Sequence, residues 1–430
     1  MSKLLVFCID ALCASDAAKM RTMPHFAPLF ERGALVEKIE PVLPALTYTC
    51  HTSILTGTYA GRHGIINNER MSRGGHLNTP WYCMRSEVRG QTLLDAAHQH
   101  GRTTCSLSWP VSGGAEYDMN MPMIVPYSYQ GYEPQKWLKG TATDNLMERY
   151  FYKHGRYLMG PDRSLDLYTM ALALDILEDG PQPDVMLVKM CDLDSVRHTY
   201  GVFHENTVTQ LRMHDEQLGA ILECLRRKGT LDETNIVVLG DHGQTDIRDA
   251  FLMNVWLRKK GLLQIDAEGN LQSFDALCHS TGLAALIEVR DPGDKALLKR
   301  VRDALEELRE DPEVRLGMIL DAVEAQTQYG LSGPFDFVIE SSLPIAFGEY
   351  LSGDALWRSC QPGDKKTGVA THGGSPGREE VTMFLAAGPD VCHTTVRESH
   401  SMVDEAPTMA AMLGLTMPDA DGSVISEILR

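Results

Sequence analysis

The chain has 430 residues, 43% hydrophobic and 23% charged, an ordinary globular balance with room for one large domain and a smaller insertion. A formal charge of −18, with no Lys/Arg-rich stripe to offset it, argues against nucleic acid polymers as partners. No apolar run approaches the roughly 18 residues of a membrane span, so no membrane partner is expected. MSKLLVFCID lacks the cleavage site of an export signal, and ten cysteines with no C-x-x-C pair read as reduced thiols of a cytoplasmic protein.

The first element is a buried strand over residues 4–9, whose apolar run ends on Asp10. A carboxylate in that place must be paired, hydrogen-bonded or bound to a cation. Next comes PALTYTCHTSILTG, in which Pro44 precedes a helix. The positive end of that helix would favour an alkoxide on Thr47, with Thr49 and Thr52 as alternatives. A threonine hydroxyl is a poor nucleophile at neutral pH, so a metal ion is needed to activate it.

A strand over 103–108 follows, and then a stretch from 110 to 142, rich in Pro, Gly, Tyr and Met, that shows no periodicity and suits the lining of a binding site. The strand over 185–190 runs into DLDSVRHTYG. There Asp194 and His198 stand four residues apart and share one face of a helical turn. A carboxylate oxygen and an imidazole nitrogen at that reach suit zinc or manganese, with Asp192 a rival carboxylate. Residues 203–227 place Val208, Leu211, Leu218, Ile221, Leu222 and Leu225 on one face of a helix.

The strand over 236–240 delivers Asp241 and His242 into the glycine-flanked turn of VVLGDHG. From 262 to 345 the pattern changes to AALIEV, ALLKRVRDALEELRE, MIL and DFVIE, a small α+β insertion expected to cap the site. Residues 1–261 and 346–430 then form the core. THGG adds His372, with glycines that let backbones approach closely, before the strand VTMFLAAG and a helix near 402–413. His51, His63, His204 and His279 are structural or supporting candidates. The alternation of short apolar runs with helical patterns predicts an α/β fold, a central mostly parallel sheet with helices on both faces. Ligands gather beyond the carboxyl ends of such strands, where Asp10, Asp194, Asp241 and His242 fall.

LTYTCHTSILTGTYAGRHGIINN, DSVRHTYG, GDHG and THGG together resemble the alkaline phosphatase superfamily, and within it the type I phosphodiesterase/nucleotide pyrophosphatase family. The resemblance covers about residues 3 to 255 and 366 to 415. It places the nucleophile at Thr47 and implies two divalent metal ions, zinc with manganese as the alternative. One would be held by Asp194, His198 and His372, the other by Asp10, Asp241, His242 and the Thr47 oxygen. Asn68 falls where the family binds a phosphate oxygen, and Tyr48 resembles the position that stacks on a nucleobase. The implied activity is cleavage of a phosphodiester or pyrophosphate bond in a small-molecule phosphate ester or nucleotide, through a phosphothreonine. TYTCH stands where relatives commonly read T-aromatic-P-N-H, a departure that touches helix geometry more than ligation.

Two other activities use the same metals. A phosphomonoesterase needs extra cationic donors, for which Arg62, Arg70, Arg73 and Arg378 are candidates. A phosphonoacetate hydrolase-like C–P hydrolase needs cations for a carboxylated substrate, yet no lysine lies between Lys38 and Lys136. An inactive metal-binding scaffold is the remote alternative.

Overall fold

Strand β1 (Lys3–Ile9) lies in the middle of an eight-stranded sheet in the computed structural model, which describes residues 2–125, 133–161, 163–364 and 367–430. The other strands are β2 (Ala34–Glu40), β3 (Thr104–Leu107), β4 (Met119–Met121), β5 (Val185–Met190), β6 (Thr234–Leu239), β7 (Thr382–Ala387) and β8 (Thr394–Ser401). Their spatial order is β8-β2-β7-β6-β1-β5-β3-β4. Only β7 runs antiparallel to its neighbours, β2 and β6; every other pairing is parallel. The mostly parallel sheet is therefore as the sequence pattern predicts.

Strand β1 is buried on both faces, and its side chains divide by parity, as a pleated strand requires. Leu5, Phe7 and Ile9 join the core under the helices Leu165–Asp179 and Glu205–Lys228. Leu4, Val6 and Cys8 join the opposite core, under α1 (Thr47–Thr56) and the helices Leu93–Gln99 and Glu405–Met412. On Glu205–Lys228, Leu211, Leu218, Ile221 and Leu225 are buried, while Val208 and Leu222 pack at the margin. Gly229 closes that helix in the left-handed conformation a side chain would resist.

The segment expected as an insertion builds its own layer. Strands Ala276–Ser280, Ala284–Val289, Phe337–Ser341 and Leu316–Asp321 make an antiparallel sheet in that order, joined by the amphipathic helix Lys295–Glu310. Between 110 and 142 lie β4 and the short helix Pro134–Leu138, and Val125 reaches the cleft described below. Residues 126–132 of that stretch fall outside the described residues.

Candidate metal centre

Asp10 follows β1 directly, Asp241 and His242 follow β6 after Gly240, and Asp194 and His198 stand on α2 (Asp192–Tyr200) just beyond β5. Two loops and one helix, each following the carboxyl end of a central strand, are thus brought together. Ala11, held at φ 60°, donates its N–H to Asp241 Oδ1 at 2.9 Å. Buried Arg197 donates to the Ala11 carbonyl and makes a two-pronged pair with Asp16 at 2.8 and 2.7 Å. The loop carrying Asp10 is thereby tied to the helix carrying His198.

Two ligand clusters result. In one, donor atoms of Asp10, Asp241 and His242 lie within 4.8 Å of one another; in the other, those of Asp194, His242 and His372 do. His198 Nε2 stands 3.3 Å from Asp194 Oδ1, and His372 Nε2 stands 3.8 Å from it. His242 bridges the clusters: its ring stacks on that of His372 at 3.7 Å, while Nε2 lies 3.3 Å from both Asp10 Oδ1 and Asp241 Oδ2. His242 thus has donor contacts in both clusters, and His198 stands beside the one that holds Asp194 and His372.

The donor set fits a pair of divalent cations. His198, His242 and His372 each place Nδ1 against a backbone carbonyl, of Ala370 at 2.6 Å, Gly243 at 3.0 Å and Ala45 at 2.9 Å. With Nδ1 as the donor, Nε2 is left as a lone pair for a metal. Asp10 Oδ1 and Asp241 Oδ2 are buried without a hydrogen bond, a costly state for carboxylate oxygens unless a cation completes them. Burial and the Asp241 charge push the Asp10 carboxyl up, a repulsion that a cation between the two would relieve. Burial works to raise Asp194 as well, yet the His198, His372 and His242 imidazoles hold it below the usual carboxylate range. Burial beside His242 lowers His372 to about 3, so it stays neutral and able to ligate.

Thr47 is the first residue of α1, and its Oγ1 lies 3.2 Å from His242 Nε2. Thr49 is fully buried, and Thr52 Oγ1 donates to the Tyr48 carbonyl at 2.7 Å; of the three hydroxyls, Thr47 is the one beside the ligands. Asn68 Oδ1 accepts the Tyr48 N–H at 3.0 Å, so the amide NH2 is the group left to donate. Thr47, Asn68, Asp194, His198 and His372 all line a cleft of about 1360 Å³, which Leu271 of the segment expected as an insertion also lines.

The structure corrects the expectation for Tyr48. Its ring is fully buried in a small cluster with Ile65, Val88 and Val111, edge-on to Trp81 at 5.2 Å. Trp81 lines the cleft and Tyr48 does not. Asp192 joins neither cluster: its Oδ2 accepts from Ser164 Oγ at 3.4 Å, and its backbone N–H and that of Cys191 both bond to Asp166. Of the arginines, Arg62 pairs with Asp421, Arg70 with Glu87 and Arg73 with Asp336, and Arg378 donates to the Leu343 carbonyl. None of the four lines the cleft, whereas Arg358 does.

Supporting residues were less visible in the sequence. Gln244 Nε2 donates to Asp194 Oδ1 at 2.5 Å, His51 Nδ1 lies 2.8 Å from the Thr47 carbonyl and 3.2 Å from Asp241 Oδ2, and Lys189 contacts Asp10. Of these, His51 was already a supporting candidate in the sequence, where it stands four residues after Thr47 on one helix.

A family model described as type I phosphodiesterase / nucleotide pyrophosphatase matches residues 4–373, and the chain belongs to that family. Venom phosphodiesterase 2 of Crotalus adamanteus is 24% identical over 253 residues, 57% of this chain and 27% of that protein. Bis(5'-adenosyl)-triphosphatase ENPP4 of Pongo abelii is 23% identical over 264 residues, 59% of this chain and 50% of that protein. The chain matches from about a quarter to half the length of these curated relatives. Human ectonucleotide pyrophosphatase / phosphodiesterase 5 has the same fold, with a TM-score of 0.67 over 100% of both chains at 16% identity. Its murine counterpart, solved in complex with AMP, gives 0.65 at 16% identity, also over 100% of both.

Proposed function

We propose that this protein is a two-metal hydrolase that cleaves phosphodiester or pyrophosphate bonds of a small or nucleotide substrate through a phosphothreonine on Thr47. The carrying observation is the Thr47 hydroxyl, held at a helix start 3.2 Å from His242 and opening to the cleft. The matched relatives, named as a venom phosphodiesterase and a bis(5'-adenosyl)-triphosphatase, and the AMP complex of a structural neighbour support the substrate class.

Asp194, His198 and His372 would hold one cation, and Asp10, Asp241, His242 and Thr47 Oγ1 the other. Bound there, the cations supply Lewis acidity that lowers the Thr47 hydroxyl pKa and screens the charge of the phosphate. Thr47 Oγ1 attacks phosphorus in line with the leaving oxygen, and the amino end of α1 favours the oxyanion. The Asn68 NH2 donates to a non-bridging oxygen as charge builds there. Water then cleaves the phosphothreonine, and two inversions leave net retention at phosphorus. The aromatic surface offered to an organic group of the substrate is that of Trp81, seated on Tyr48.

Zinc suits the mixed carboxylate and imidazole donors, with manganese the alternative. Because the four named arginines are engaged elsewhere and Arg358, at the cleft, is paired with Asp364 at 2.8 Å, the site favours diesters over monoesters, which ask for additional cations. Free cysteines, seven of them buried, support a cytoplasmic location. Among the described residues no helix is long and apolar enough to cross a membrane.

Thr47→Ala is expected to lower turnover of a bis-aryl phosphodiester by about 10⁴-fold or more while zinc analysis still finds two equivalents. Turnover near that of the parent would overturn the nucleophile assignment.

A further inference from the structure

Lys189 is a fully buried lysine in the penultimate position of β5. It pairs in register with Cys8 of β1, and parity places it on the face of the sheet that Val185 and Leu187 share with α1. Its ammonium lies 2.6 Å from Asp10 Oδ2, 2.9 Å from Cys191 Sγ and 3.6 Å from Met123 Sδ. Sulfur is a weak acceptor, so Asp10 is the strong partner in this surround. Burial disfavours an isolated charge, and the 2.6 Å contact with the Asp10 carboxylate is the pairing that sustains the ammonium.

The pairing divides the two oxygens of Asp10. Oδ2 is taken by Lys189, whereas Oδ1 is buried without a hydrogen bond and points to His242 Nε2 at 3.3 Å. We propose that Lys189 is a positioning residue for the cation of Asp10, Asp241 and His242, confining Asp10 to ligation through Oδ1 alone and placing a fixed positive charge behind the ligand. This rests on the two-cation reading above. It adds a consequence: the positive charge weakens the hold on that cation, because like charges a few ångströms apart in a buried site repel strongly, and it favours an anion arriving at Thr47.

Two substitutions separate geometry from charge. Lys189→Met removes both the donor and the charge; Lys189→Gln keeps an N–H for Asp10 Oδ2 without the charge. Zinc affinity is read by chelator competition, which counts two equivalents, and coordination by the visible absorption of the cobalt-loaded protein. Both variants are expected to hold one zinc equivalent at least tenfold more tightly than the parent, with the other unchanged. The cobalt spectrum is expected to weaken in Lys189→Met, as Asp10 gains a second bond to the metal, and to keep its parental intensity in Lys189→Gln. Either variant, if folded by circular dichroism, is sufficient. Parental zinc affinity in a folded variant would overturn the inference, as would an unchanged cobalt spectrum in Lys189→Met. A parent protein that bound no divalent cation would instead overturn the two-cation reading itself.

Discussion

Glu405 is fully buried in the first turn of Glu405–Met412, and neither carboxylate oxygen has a hydrogen bond. Burial, helped by the charges of Asp404 and Asp241, raises its pKa well above the ordinary value. A raised folded pKa means that its contribution to stability is full below the unfolded value and is lost as pH rises toward the folded one. Glu405→Gln escapes that loss. Thermal melts should show it more stable than the parent by about 1–3 kcal/mol at pH 8, with the gain vanishing near pH 4; a gain independent of pH would contradict the assignment. Single residues were legible in the sequence where their local setting decided their role. Asp10 and Asp241 end apolar runs, and Asp194 shares a helical face with His198. Residues whose role depends on a distant partner were not legible: Arg73 meets Asp336 across 263 positions, and Lys189 inside an apolar run gives no sign of Asp10. The residue after Thr47 is aromatic, but sequence alone does not say that its ring lies beneath Trp81.

At the scale of elements, the turn after His372 has the tightest steric demand. Gly373 sits at φ 91°, and a Cβ there would overlap the Thr281 carbonyl. Both facts oppose any side chain. Gly373→Ala is expected to cost about 1–3 kcal/mol of stability from overpacking and to lower zinc affinity about tenfold or more through displacement of His372. Denaturant unfolding and chelator competition measure the two effects, and a variant with parental zinc affinity would show that the turn does not set the ligand. Strands with continuous apolar runs and the helix Glu205–Lys228 were legible because burial on two faces, or on one stripe, writes itself into the residue pattern. The direction of β7 was not, because VTMFLAAG reads the same whichever way its hydrogen bonds run. Between 110 and 142 short elements are held by neighbours, as where Thr143 Oγ1 accepts the Asn120 N–H, and no local period announces them.

For the molecule as a whole, cation binding and folding are linked. Asp10 and Asp241 are buried beside one another, and Asp194 stands half-buried at the cleft next to His242 and His372; cations bound to these carboxylates would be held poorly by the unfolded chain. Free metal at a hundredfold excess over its dissociation constant adds about 2.7 kcal/mol per site. Dialysis against a chelator should therefore lower the melting temperature by roughly 5 °C or more, and zinc should restore it; a melt indifferent to chelation would mean that the carboxylates are compensated without metal. A change of period marks the segment from about 262 to 345 in the sequence, while its contribution to the cleft, through Leu271 and Thr281, needed the folded chain. The central position of β1 has one more consequence. Its two hydrogen-bonding neighbours, residues 185–190 and 234–239, leave the ribosome long after it does, and His372 later still. Nascent chains arrested before residue 234 are expected to retain no zinc on a desalting column, which would make metal acquisition a property of nearly finished molecules and tie their maturation to the supply of metal around them.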